Sequence, residues 1–202
     1  MKKYFTLPAW LTLLQKLGKE KQKILSPRAL QVASGLGRDA TLKAIQRLSR
    51  RGYLIKLYKK TYANKFSLPS LEEAAMFYGK PCYISFESAL EDHGVISQAP
   101  QVLTCATTRK IKNLKTPLGE IAFHHLQSGL FNNFENDQGI LRATAEKALL
   151  DYLYINFKNK KYAPALDEFD LSRLDKQKIK KLAKNFPQSV KERVNRLSEI
   201  VS

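Results

Sequence analysis

A chain of 202 residues, 44% hydrophobic and 26% charged, has room for one or two domains with a real core. No apolar run approaches the length a helix needs to span a bilayer, and two cysteines, Cys82 and Cys105, do not make a disulfide framework, so neither a membrane-spanning helix nor a disulfide-stapled fold is expected. The net charge of +17 is uneven: residues 1–69 hold 16 Lys and Arg against 2 Asp and Glu, residues 70–155 hold 7 against 10, and residues 156–202 hold 12 against 6. The excess at the start predicts a polyanion partner for the N-terminal part.

The opening, MKKYFTLPAWLTLL, superficially has the form of a signal peptide. Pro8 interrupts the apolar run, Gln15 and the charged stretch from Lys16 to Lys23 follow, and no small-residue cleavage site is present. The stretch reads instead as a first helix from about Pro8, packing Trp10, Leu11, Leu14 and Leu17 inward. A reducing cytoplasm is the expected compartment, with both cysteines serving as small buried hydrophobes.

Ser26 and Pro27 open a second helix, with a side-chain oxygen at the cap and a proline where no amide donor is needed. Leu30, Val32 and Ala33 are expected to face inward. Gly35 and Gly37 around Leu36 suit a tight turn between helices. Asp39 is expected to cap the next helix, which runs to about Arg51 and stops at Gly52. Tyr53 to Lys60 and Tyr62 to Phe66 then read as a short hairpin. The whole from Ser26 to Phe66 reads as a winged helix-turn-helix.

The phase of its second helix puts Thr41, Leu42, Ile45, Leu48 and Ser49 on a core face. Ala40, Lys43, Arg47 and Arg50 lie opposite, flanked by Asp39, Gln46 and Arg51. Such a stripe suits a major groove: Arg and Lys donate to guanine, Gln pairs with adenine, and Ala permits close approach. A charged stripe alone is usually a solvated face; the preceding helix, the glycine turn and the basic hairpin tip the reading to DNA. Arg28, Arg38, Lys56, Lys59 and Lys60 complete the expected DNA-binding set.

Pro69-Ser70 reads as a domain junction, and Ser70-Leu-Glu-Glu73 fits a capping box for a helix covering Ala74, Ala75 and Phe77. Gly79-Lys80-Pro81 ends that helix. Cys82 to Ile84 is a very short strand, and Ser85 caps a helix through about His93, closed by Gly94. Pro100 to Thr108 and Leu118 to Leu126 are strands. Arg109 to Lys115 is a basic connector between them, a hairpin arm, and Asn132 to Gly139 is a polar loop. Thr144 caps a strong helix to Phe157, whose positive end Glu146 favours. In the tail, Ile179, Leu182, Ala183 and Phe186 mark one helix, and Val190, Val194, Leu197 and Val201 another. The fold class is therefore α+β: a winged helix-turn-helix over 1–69, a small mixed α/β domain over 70–157, and a basic helical C-terminal extension over 158–202.

The order of a basic winged helix, then PCYISFESALEDHGVI, VLTCATTRKIK, a Gly-Glu strand ending in two histidines, and LRATAEKALLDYLYI resembles the AbiEi antitoxins of type IV, abortive-infection toxin–antitoxin systems. The resemblance spans roughly residues 8 to 157 and rests on two blocks, Tyr83 to Leu90 and Arg142 to Asp151. The helix-turn-helix part is shared by many regulators. Ala145 stands where the family's second block usually carries Pro, and alanine is equally comfortable in a first helical turn. The resemblance implies an autorepressor that binds inverted repeats in its own promoter. It also implies that residues 70–157 counteract a nucleotidyltransferase toxin, with or without a stable complex.

Other chemistry has weaker signals. His124 and His125, adjacent in a strand, point to opposite faces and cannot easily chelate together, and with His93, Cys82 and Cys105 they make no recognised metal-ligand spacing. Glu146-Lys147 beside Asp92 or Glu120 evokes a nuclease, but capping and salt bridging at a helix start explain the pair better. No Walker loop or nucleophile elbow is present. No cofactor, no metal and no enzymatic activity are expected. Arg109, Lys110, Lys112 and Lys115 form a possible second basic site. The competing readings are a winged-helix regulator without a toxin partner, and a DNA-targeted nuclease.

Overall fold

The computed structural model describes residues 5–158 and 169–200. It is an α+β chain with eight α-helices and two sheets among the described residues. It divides into two compact units, one of Met1–Ala74 with Lys115–Leu118, the other of Ala75–Leu114 with Gly119–Ser202.

The first unit is built on α1 (Leu7–Lys19), where Thr6 Oγ1 accepts the Ala9 amide and Trp10, Leu14 and Leu17 are buried one turn apart. These pack with Leu25, Leu30, Ala44, Ile45, Leu48 and Leu54 into one core. α2 (Pro27–Ser34) starts as expected, with Ser26 Oγ accepting the Ala29 amide at 3.2 Å, and ends at Gly35 with φ 67°. Its buried residues are Leu30 and Ser34, not Val32 and Ala33; Val32 is 74% exposed. A two-turn helix offers the core only residues four apart, and Val32 projects from the far side of that pair.

α3 (Arg38–Arg50) begins one residue before Asp39. Gly37 therefore occupies the cap position, and Asp39 sits exposed in the first turn, its charge still near the positive helix end. Thr41, Ala44, Ile45 and Leu48 are the buried face, whereas Leu42 is 39% exposed. The core face is thus centred on the 41/45 and 44/48 pairs, which places Leu42 at its rim. Gly52 follows with φ 72°, the left-handed conformation expected there.

β2 (Leu54–Tyr58) and β3 (Thr61–Asn64) form the expected hairpin, pairing Leu54 with Asn64 and Lys56 with Tyr62. β1 (Ile24–Leu25), which two residues of sequence do not announce, adds a third antiparallel strand in the order β1-β3-β2. Asn64 is fully buried, with Nδ2 donating to the Leu14 carbonyl at 2.7 Å and Oδ1 accepting the Phe66 amide, so the hairpin is tied to α1.

α4 (Leu71–Gly79) opens on a complete capping box. Glu73 N donates to Ser70 Oγ at 3.0 Å, and Glu73 Oε2 accepts the Ser70 amide at 2.8 Å. Lys23 Nζ also lies 2.7 Å from the Glu73 carboxylate. Burial pushes the Glu73 carboxyl up, but the Lys23 ammonium and the Ser70 amide together outweigh it and hold it below the usual 4.5. A depressed carboxyl contributes stability above its unfolded value and loses it as pH falls through the folded one. Ser70→Ala is expected to cost about 1 kcal/mol in urea denaturation at pH 7. Glu73→Gln should flatten the loss of stability below pH 4.5 relative to wild type; an unchanged acid limb would exclude this contribution.

The second unit is organised by strands β7, β5, β4, β9 and β8 of a six-stranded mixed sheet whose order is β6-β7-β5-β4-β9-β8. Its strands are β4 (Cys82–Ile84), β5 (Leu103–Thr107), β6 (Leu114–Thr116), β7 (Gly119–His125), β8 (Phe134–Asp137) and β9 (Ile140–Ala143). The helices are α5 (Phe86–Asp92), α6 (Ala145–Lys158), α7 (Lys176–Ala183) and α8 (Gln188–Ile200). Cys82, Tyr83 and Ile84 are all buried, as a short strand covered on both faces must be. Gly79 closes α4 so tightly that a Cβ there would sit 2.3 Å from the Phe123 ring.

Two sequence expectations fail here. β5 and β7 are parallel neighbours, so residues 109–113 belong to a crossover and not to a β5–β7 hairpin, whereas Leu114 and Lys115 lie in β6, the strand that neighbours β7. The polar loop of 132–139 contains β8, paired antiparallel with β9 from Phe134↔Ala143 to Asp137↔Ile140. Glu135 and Asp137 keep this edge strand charged and exposed, while Phe134 stacks on Tyr83 at 5.0 Å and anchors it. Gln138 and Gly139, with φ 49° and 94°, turn the chain.

In the tail, Ile179, Ala183, Phe186, Val190 and Val194 are buried as the spacing predicts, whereas Leu182 is half-buried. The Leu197 side chain and Val201 lie outside the described residues.

Candidate nucleic-acid interface

All eleven residues of the expected DNA-binding set, Arg28, Arg38, Ala40, Lys43, Gln46, Arg47, Arg50, Arg51, Lys56, Lys59 and Lys60, are exposed. α3 brings Lys43, Arg47 and Arg50 onto the face opposite Ile45 and Leu48, with Gln46 beside them. Among the described residues none of the nine cations in the set makes an ion pair. Lys59, with φ 47°, sits at the hairpin tip and lies 5.3 Å from the Tyr58 ring centroid. Cations without counter-charges on two helices and one hairpin hold their field for an outside polyanion.

Arg109, Lys110, Lys112 and Lys115 are also exposed. The Arg109 guanidinium donates to the Lys80 carbonyl at 2.8 Å, which fixes its stem and commits part of its donor set. Lys115 belongs to β6, while the other three precede that strand.

The structure assembles a second constellation that the sequence reading divided between helix capping and apolar packing. Tyr83 and Ser85, from the first family-like block, meet Lys147 and Asp151 from the second. The Tyr83 hydroxyl donates to Asp151 Oδ2 at 2.7 Å, Ser85 Oγ donates to the same oxygen at 2.9 Å, and Lys147 Nζ donates to the Tyr83 oxygen at 2.8 Å and to Asp151 Oδ1. Ser85 therefore stands at the N-terminus of α5 without capping it, because its hydroxyl is committed to Asp151. The side chains of Lys147 and Asp151 are 1% and 0% exposed. Burial pushes the Asp151 carboxyl up and the Lys147 ammonium down, and burial with the neighbouring carboxylate keeps the Tyr83 phenol protonated. Phe186, between α7 and α8, covers the ammonium with its ring centroid 5.3 Å away.

So enclosed a network holds α6 to β4. The detectable signal was Lys147 and Asp151 at i and i+4 inside the apolar run Ala148, Leu149, Leu150 and Leu153, all of them buried.

The remaining acidic and histidine candidates are dispersed. Glu146 pairs with Lys178 at 2.8 Å and accepts the Asp175 amide, linking the start of α6 to the start of α7; that attraction outweighs burial and lowers its carboxyl. Asp92 pairs with Arg142. Glu146, Lys147 and Asp92 thus face three different partners. His124 packs edge-on against Phe86, whereas His125 is exposed, as alternation in β7 requires. His93 Nε2 bonds the Ala143 carbonyl at 2.8 Å.

No family model matches the chain, and no curated protein matches it. Among solved structures, the crystal structure of the RV2827C protein from Mycobacterium tuberculosis is similar, with a TM-score of 0.64 and 16% sequence identity over 96% of this chain and 78% of that one. At that identity the likeness is one of fold. Among the described residues no helix is long and apolar enough to cross a membrane.

Proposed function

We propose that the first unit is a winged helix-turn-helix that reads duplex promoter DNA with α3, and that the chain is an AbiEi-like antitoxin that represses its own operon. The observation that carries this reading is the set of nine exposed cations on α2, α3 and the hairpin, free of ion pairs among the described residues. α2, the Gly35 turn and α3 supply the helix-turn-helix, and β2 with β3 supplies the wing. Arg47 and Lys43 would reach guanine edges and Gln46 adenine, while the wing lysines hold phosphates.

The antitoxin part of the reading rests on the two family-like blocks, which together supply the buried Tyr83–Ser85–Lys147–Asp151 network. A cytoplasmic nucleotidyltransferase toxin is the proposed functional partner. The protein itself would act by binding, with neither cofactor nor metal. The domain split proposed is 1–69 for DNA and 70–157 for toxin antagonism, with 158–202 as an added basic tail.

Salt dependence tests the DNA half. With roughly six phosphates neutralised, the slope of log affinity against log salt should be near −5 for duplex DNA. Affinity that stays constant from low to high salt removes the electrostatic basis of the proposal. Co-expression with a neighbouring nucleotidyltransferase-like gene tests the other half, with growth rescue expected and persistent arrest counting against an antitoxin.

A further inference from the structure

Arg28 in the first turn of α2, Arg38 at the start of α3 and Lys60 at the hairpin tip come from three elements, yet they line one cleft of about 470 Å³ in the first unit. That volume lies in the range of small-molecule sites, about 300–1,000 Å³. The rest of the wall is Pro27, Gln31, Leu42 and Tyr62, and among the described residues no carboxylate lines the cleft. Asp39, beside Arg38 in sequence, is exposed and makes no ion pair among the described residues. The cleft therefore joins three uncompensated positive charges to an apolar and aromatic wall. Leu42, exposed at the rim of the α3 core face, is part of that wall.

Three positive charges repel a divalent cation, and an uncharged apolar ligand would leave those charges to desolvate. Two guanidinium forks and a lysine match the oxygens of phosphate, and a flat ring matches Tyr62 and Leu42. We propose that this cleft is a phosphate-binding site for a nucleotide, either a free nucleoside polyphosphate or one residue of a DNA strand. A free polyphosphate and duplex DNA then compete for the same three cations, which makes DNA occupancy responsive to the nucleotide pool. The competition rests on the proposed DNA reading, whereas the anion site does not.

The full chain is titrated calorimetrically at fixed low salt with inorganic tripolyphosphate and with ATP, alone and in the presence of a scrambled duplex. Wild type is compared with Arg38→Gln/Lys60→Gln and with Lys19→Gln/Lys21→Gln, which removes the same charge from exposed positions off the cleft. All four substituted side chains are on the surface, and thermal unfolding of both variants checks that they fold as wild type does. One tripolyphosphate per chain is expected, displaced by duplex, with affinity at least about tenfold weaker in the cleft variant than in the control. ATP tighter than tripolyphosphate would add the ring contact. A duplex affinity weakened about tenfold in the cleft variant alone, without tripolyphosphate binding, would assign the phosphate to the DNA strand as the sole source. Equal behaviour of the two variants toward both anion and duplex overturns the site. Tripolyphosphate binding that survives while Arg47→Ala leaves operator binding untouched would remove the reading helix and keep the cleft.

Discussion

Lys147→Met is expected to lower the stability of the second unit by about 3–5 kcal/mol. The cost does not come from losing an attractive pair, because such a pair roughly balances the removal of two charges from water. It comes from what is left behind. Asp151 is 0% exposed and would face only the Tyr83 and Ser85 hydroxyls, so it must protonate or sit uncompensated. Phe186 would also lose the cation beneath its ring. Replacing both partners, as in Lys147→Met/Asp151→Leu, leaves no orphan charge and should recover most of the loss. Hydrogen exchange of the α6 and β4 amides across a urea series reads the effect where it arises. A single-variant loss below about 1 kcal/mol would mean that water reaches Asp151 and that the network is not closed.

Arg47→Ala should act in the opposite sense: little on stability, much on recognition. Arg47 is exposed opposite Ile45 and Leu48, so stability should stay within about 0.5 kcal/mol of wild type. If its guanidinium pairs with a guanine edge, operator binding weakens by about 1–3 kcal/mol, with little change on scrambled duplex. Lys59→Ala or Lys60→Ala, at the hairpin tip, should weaken both duplexes alike, because a phosphate contact carries no base information. Titrating each variant against both duplexes at one salt concentration separates the two behaviours. Wild-type binding of both duplexes by Arg47→Ala would mean that α3 is not the reader.

Local signals, where they were strong, carried through to the structure. Ser26-Pro27, the Ser70–Glu73 capping box, Gly52 and the spacing of Trp10, Leu14 and Leu17 each concern groups within one helical turn of one another. Their geometry follows from backbone sterics and hydrogen bonding alone, so sequence spacing suffices. The exposure of Lys43, Arg47 and Arg50 was legible for the same reason: once Ile45 and Leu48 face the core, residues half a turn away face water.

What needed the tertiary structure involved partners distant in sequence. The parallel pairing of β5 with β7 depends on which strand docks beside which, and apolar runs of similar length carry no record of that choice. β8 is polar along most of its length and pairs with the neighbouring β9, and its one aromatic residue, Phe134, is anchored on Tyr83, some fifty positions earlier. Leu42 and Val32 stay exposed because neighbouring elements, rather than their own hydrophobicity, decide how far a core face extends.

The sharpest case is Lys147 with Asp151. By itself the chain determines that they share a helix face, and a surface salt bridge is the ordinary outcome of that spacing. Only the packing of β4 beneath α6 and of Phe186 above it removes the water. That turns an i, i+4 pair into a closed network in which each polar atom depends on a residue from another part of the chain.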